Sequence, residues 1–147
     1  MKIVLFTTAA AVCALAAGVH ALPDGVGAGA KAGATISQAG DLKSLDPRCT
    51  MADGKTAMSY YPGGDFALLS NKYMGGAHAG TYCGLCINAA GARGHPVRLT
   101  VVGACDGCTG DGLATGEGTF AALGGKGAAI AGASWAFVDC WKPVGAP

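Results

Sequence analysis

The chain has 147 residues, ten Lys and Arg against nine Asp and Glu, and a formal net charge of +1 at pH 7. Only 13% of it is charged, too little for a coiled coil or a charge-driven disordered chain, and no basic stripe is present to neutralise nucleic-acid phosphates. This length without a long linker predicts one domain, and Gly, at 26 residues, is far above its usual share of ~7%.

Lys2 precedes an apolar run over residues 3–18, and Val19-His20-Ala21 places small residues where a signal peptidase reads. The pattern predicts an export signal over 1–21 and a secreted, extracellular protein. The run is shorter than the ~20 residues that span a bilayer, and no later run is longer, so no membrane partner is expected. Residues 22–47 follow as a Gly/Ala-rich leader with no apolar period. They read as a flexible, dispensable tail, unable to bury enough surface to offset their ordering entropy.

The folded domain is expected over 48–147, with strand signals dominant. Residues 56–61 (TAMSYY) are β-branched and aromatic, and 83–89 (CGLCINA) form a second candidate. Residues 91–96 read as a hairpin-type connection. Val97, Leu99 and Val101 alternate with Arg98 and Thr100 along the clearest strand, 97–102. A short helix is expected at 119–123, with Thr119 as a cap and Gly124-Gly125 stopping it. The last strand is expected at 135–141 (WAFVDCW). Short strands, Gly-rich turns and one helical turn make a mainly β domain, a small barrel.

Six cysteines remain after the signal: Cys49, Cys83, Cys86, Cys105, Cys108 and Cys140. In an exported domain an even count reads as disulfides. The two Cys-x2-Cys pairs, eighteen residues apart, also fit a four-thiolate zinc site, which would leave Cys49 and Cys140 as a separate pair. Export favours the disulfides, and neither a metal nor a cofactor is expected. His78 and His95 stand among Gly and Ala and read as surface loop residues. Gly132-Ala133-Ser134-Trp135-Ala136 approaches a nucleophile elbow but lacks its last Gly.

Several motifs fall in a familiar order. Tyr60-Tyr61 comes first, then Cys83-Gly84-x-Cys86, then 97–102 running into Cys105-Asp106-Gly107-Cys108. Asp111-Gly112-Leu113-Ala114, Phe120-Ala121-Ala122-Leu123-Gly124 and 135–140 follow. This arrangement resembles expansin-like proteins of the single-domain loosenin type, with barwin-related endoglucanases and rare lipoprotein A as more distant relatives. The resemblance implies a six-stranded double-psi β-barrel with one or two short helices. It implies the pairs Cys86–Cys140 and Cys105–Cys108, which leave Cys49 with Cys83. It also implies a cell-wall polysaccharide partner (cellulose, chitin or peptidoglycan), loosened without hydrolysis by a monomer.

The departures bear on chemistry. Where the family carries Asp at the end of the central strand, this chain has Gly103. The family's Asp-Leu-Ser turn corresponds to Asp111-Gly112-Leu113-Ala114, with one residue inserted. The hydrolytic relatives place a catalytic base after the aromatic pair, and here that position is Pro62. Inverting glycoside hydrolysis needs two carboxyl groups across the scissile bond. Asp111 is the candidate acid, readable equally as a groove or a turn residue. Asp65 and Asp106 lie in turn-like sequence. Tyr60, Tyr61, Asp106, Asp111 and Trp135 are the candidate substrate-binding residues, the aromatics as platforms for sugar rings, with core packing the favoured reading for Trp135 and Trp141 themselves. Two other readings stay open: an extracellular protein-binding barrel, such as a protease inhibitor or effector, and a weak endoglucanase or lytic transglycosylase.

Overall fold

The computed structural model describes residues 22, 26–27, 29–49, 55–91, 95–141 and 143–144, apart from the His78 side chain. The export signal expected over 1–21 lies outside them. Six strands close into a barrel: β1 (Lys31–Gln38), β2 (Phe66–Ser70), β3 (Cys86–Ala90), β4 (Val97–Cys105), β5 (Leu113–Thr115) and β6 (Ala129–Val138). Around the barrel the order is β1-β5-β2-β4-β3-β6, with β6 pairing back onto β1. The pairs β1–β5 and β2–β4 are parallel and the rest antiparallel. Four short helices decorate it among the described residues: α1 (Ala57–Tyr60), α2 (Asn71–Met74), α3 (Ala79–Tyr82) and α4 (Glu117–Ala122), with a 3-10 turn at Gly76–His78. The expectation was one or two.

Period-2 alternation fills the interior. Ile36, Leu69, Ile87, Leu99, Val101 and Leu113 are fully buried in one cluster, each side chain stabilising the fold by ~1.5–3 kcal/mol. Tyr73, Tyr82, Trp135 and Phe137 add an aromatic group with ring centroids 5.2–6.1 Å apart. A second cluster lies on the other face of β2, where Phe66 and Leu68 pack with Ala57, Val102 and Ala114 beneath Leu42 and Leu45. All five residues of β2 are buried, which explains the apolar run over its first four, Phe66 to Leu69.

Two sequence expectations fail here. The supposed flexible leader, 22–47, contains β1, whose Ala34 and Ile36 point into the core, and Val26 is buried as well. Small residues hide this strand's alternation, and Gly33 (φ +71°) sits where its register against β6 shifts. The segment 56–61 is mostly helix α1 and not a strand, because Thr56 Oγ1 accepts from Ser59 N and caps its start. Elsewhere the differences are at the ends. The strands expected at 83–89, 97–102 and 135–141 are β3, β4 and β6, and the β3–β4 antiparallel pairing fits the hairpin connection. The expected helix is α4, but its N-cap is Gly116 and Thr119 lies inside it.

All six cysteines are paired: Cys49–Cys83, Cys86–Cys140 and Cys105–Cys108, at sequence separations of 34, 54 and 3. The four-thiolate zinc alternative is overturned, since each of its four sulfurs is already in a disulfide: Cys83 with Cys49, Cys86 with Cys140, and Cys105 with Cys108.

Candidate functional site

Polar side chains converge at two places, one beyond each end of β5. Before its first residue, α2 gathers two of the predicted carboxylates. Asp111 Oδ1 accepts from Lys72 Nζ at 2.6 Å and from the Tyr73 hydroxyl. One residue earlier on α2, Asn71 Nδ2 donates to Asp106 at 3.2 Å. Arg48 joins the network with a two-pronged bond to Asp46 (2.9 and 2.8 Å) and a longer contact to Asp106 at 3.4 Å. The Ala104 N–H also donates to Asp46.

The electrostatics of this network are those of anchors. The bonds from Lys72 and then Tyr73 hold the Asp111 carboxyl below its ordinary pKa. The Arg48 bond does the same for Asp46. Burial, and then the bond to Asp111, pushes the Tyr73 hydroxyl well above the usual tyrosine range. A general acid needs its proton affinity raised, so the direction at Asp111 is opposite to that needed for proton donation.

Past the other end of β5 lies a cleft of about 450 Å³, lined by residues 38–41, Met58, residues 62–64, Phe66 and residues 116–118. Its volume falls in the range of small-ligand sites, ~300–1,000 Å³. Two glycine stretches meet backbone to backbone here. A Cβ on Gly116 would lie 2.5 Å from Gly64 Cα, and one on Gly118 would lie 2.7 Å from the Gly63 carbonyl oxygen. Gly64 has φ +81°, which L side chains rarely adopt. Gly116 N donates to Gly64 O at 3.2 Å. Thr115 Oγ1 binds the Gly64 and Phe66 carbonyls, and Thr119 Oγ1 bonds Asp65. This wall is fixed before any ligand arrives. Gln38, Asp41 and Glu117 supply the polar side chains.

The predicted residues are thus divided. Asp106 and Asp111 share the α2 network. Trp135 is there too, but as core: it is 2% exposed, and its Nε1 donates to the Asp111 carbonyl at 2.7 Å. Its expected role as a sugar platform is corrected by that burial. Tyr60 is exposed, and Tyr61 packs partly against the second cluster. Both stand in the chain between Met58 and Pro62, which line the cleft, and no hydrogen bond joins either to the Asp111 network among the described residues. Asp65 is tied to Thr119. His95 is exposed, and Trp141 lies 81% exposed beyond β6. Sequence reasoning missed Asp46 and Arg48, which lie in or beside the supposed leader, and also Gln38, Asp41 and Glu117. One signal was available at Gly103. A Cβ there would sit 2.4 Å from Asp46 Cβ, so the carboxylate missing from the central strand has a neighbour's carboxylate over its place.

No protein-family model matches the chain, and neither does any curated protein. Solved structures do. An apo expansin of Clavibacter michiganensis aligns with TM-score 0.58 and 22% identity, over 78% of this chain and 53% of that one. A point mutant of that expansin, in complex with cellohexaose, aligns with TM-score 0.56 and 23% identity, over 76% and 51%. A Streptomyces papain inhibitor aligns with TM-score 0.55 and 16% identity, over 76% of this chain and 96% of its own. The chain spans about half the length of the expansin chains it matches. The shared feature is the fold, an expansin-like double-psi β-barrel.

Proposed function

We propose that the chain is a secreted, expansin-like protein that binds cell-wall polysaccharide as a monomer and loosens it without breaking glycosidic bonds. The observation that carries this reading is Pro62. It lines the cleft at the position where the resemblance puts a catalytic base in the hydrolytic relatives, and a proline has no group that accepts a proton. The cleft would act by exchange. Its glycine backbone, Gln38 and carboxylates offer hydrogen bonds that compete with those between glycan chains, each worth a net ~1 kcal/mol. The cellohexaose held by the mutant expansin and the three disulfides, at home in an oxidising compartment, support the same reading.

Retention of the protein on cellulose, chitin and peptidoglycan, with reducing-sugar release assayed in parallel, tests it. A Tyr60 face covering roughly 50 Å² of pyranose C–H surface would contribute about 1.2 kcal/mol, so Tyr60→Ala should weaken retention about eightfold. Steady sugar release would instead favour cleavage, for which the cleft holds two carboxylates, Asp41 and Glu117. Both are exposed, whereas the acid of a glycan-cleaving pair sits desolvated. A second reading, a protein-binding barrel, draws on the near-complete coverage of the papain inhibitor. Papain inhibition with no polysaccharide retained would favour it.

A further inference from the structure

Seven acidic residues lie among the described residues, and five have partners. Asp46 is held by Arg48, Asp65 by Thr119, Asp106 by Arg48 and Asn71, Asp111 by Lys72 and Tyr73, and Asp139 by the Trp141 N–H. The two without an ion pair or hydrogen bond among the described residues, Asp41 and Glu117, both line the cleft. Its described lining contains no Lys, Arg or His. We infer that this cleft selects a positively charged glycan, a polymer whose sugar rings carry free primary amines in place of acetylated ones. The inference rests on the polysaccharide-binding reading above and names the substrate class for the same site.

The physical argument is one of compensation. Two like charges in one concavity repel each other, and low-dielectric walls focus their field into the opening. A neutral chain entering the cleft would strip water from both carboxylates without replacing their counter-charge, which is unfavourable. A chain with one ammonium on each ring carries the counter-charge that both carboxylates lack. Its remaining hydroxyls find the Gln38 carboxamide and the exposed glycine backbone. Because residues 63–64 and 116–118 are locked together, the segment that bears Glu117 needs little reorganisation on binding.

Titration calorimetry of the exported chain with glucosamine hexamer, N-acetylglucosamine hexamer and cellohexaose tests this, with trilysine and calcium chloride as further probes. Two partly exposed ion pairs predict about tenfold tighter binding of the glucosamine hexamer than of either neutral one. That preference should vanish near ~1 M salt. Asp41→Asn combined with Glu117→Gln should erase it, bringing the glucosamine hexamer level with the two neutral ones, and Asp139→Asn should leave it intact. If the double variant does not fold, the salt dependence of the wild type decides alone. Equal affinity for all three hexamers would overturn the inference and leave the polysaccharide reading standing. Binding of none would overturn both. Tighter binding of trilysine or calcium than of the glucosamine hexamer would assign the carboxylates to a basic peptide or a metal and refute the amine-bearing glycan.

Discussion

Truncating the chain through Gln38 removes β1 and opens the barrel. The strand contributes five register pairs to β6 and three to β5, together with the buried Ala34 and Ile36. Ile36 burial accounts for about 2 kcal/mol. Even half of the ladder bonds, at a net ~1 kcal/mol each, bring the loss to ~5 kcal/mol or more. Domains of this kind are stable by only ~5–15 kcal/mol, so the truncated chain should be largely unfolded. A graded version isolates packing. Ile36→Ala should cost about 3 kcal/mol, which lowers Tm by roughly 12 °C at ~4 °C per kcal/mol. A control, Ala32→Ser, changes an exposed residue on the same strand and should stay within ~0.5 kcal/mol. Thermal unfolding followed by circular dichroism reads all three. A truncated chain melting within about 2 °C of the intact one would refute the assignment of β1 to the barrel and restore the leader to a tail.

Cys86→Ser should destabilise more than Cys108→Ser. Loop closure over 54 residues is worth about 4 kcal/mol and over 3 residues about 2, and denaturant titration with thiol counting would show it. Asp111→Asn should lower stability by about 1 kcal/mol at neutral pH, since Tyr73 and Lys72 lose a charged acceptor. Asp46 and Asp111 have folded pKa values lowered by their partners. Their stabilisation is therefore complete above the unfolded carboxylate value, ~3.9, and is lost as pH falls through the folded ones. Melting temperatures measured between pH 7 and pH 2 should decline on the acid side, less steeply in Asp111→Asn. For Tyr73 the folded pKa is raised, so its contribution is present below the unfolded tyrosine value, ~10, and is lost as pH rises through the folded one. Tyr73→Phe should flatten that alkaline limb.

What the sequence disclosed follows from how local each signal is. β4 is legible because Val97, Leu99 and Val101 alternate with polar residues. β3 and β6 carry β-branched or aromatic side chains. The cysteines speak through export and the resemblance together. β1 escapes because Ala, Gly, Thr and Ser carry little apolar contrast, and only closure against β5 and β6 gives Ile36 a core to enter. In 56–61 the aromatic residues suggest a strand, but a Thr cap four residues before Tyr60 outweighs them. Asp111 was singled out from the turn it occupies, and its Lys72 and Tyr73 partners, nearly forty residues away, were invisible. The cleft is the least local feature of all. Its lining comes from four separate stretches, and the acids that face it were hidden in the supposed leader and in the first turn of α4.

The order of strands around the barrel also governs when it can form. Lys31 on the first strand pairs with Trp135 on the last, more than a hundred residues later, and both parallel pairs join strands that are not successive in the chain. Contacts of such separation make folding slow, because loop closure must be achieved before the contacts reward it. Among the described residues, the only ladder between strands successive in the chain is that of β3 with β4, so it is the one available early during synthesis. The barrel stays open until β6 has emerged, and the Cys86–Cys140 link, anchored just past β6, can be made only after that. A chain built this way stays unclosed until its last strand is complete, and the Cys86–Cys140 bond and barrel closure become one late event.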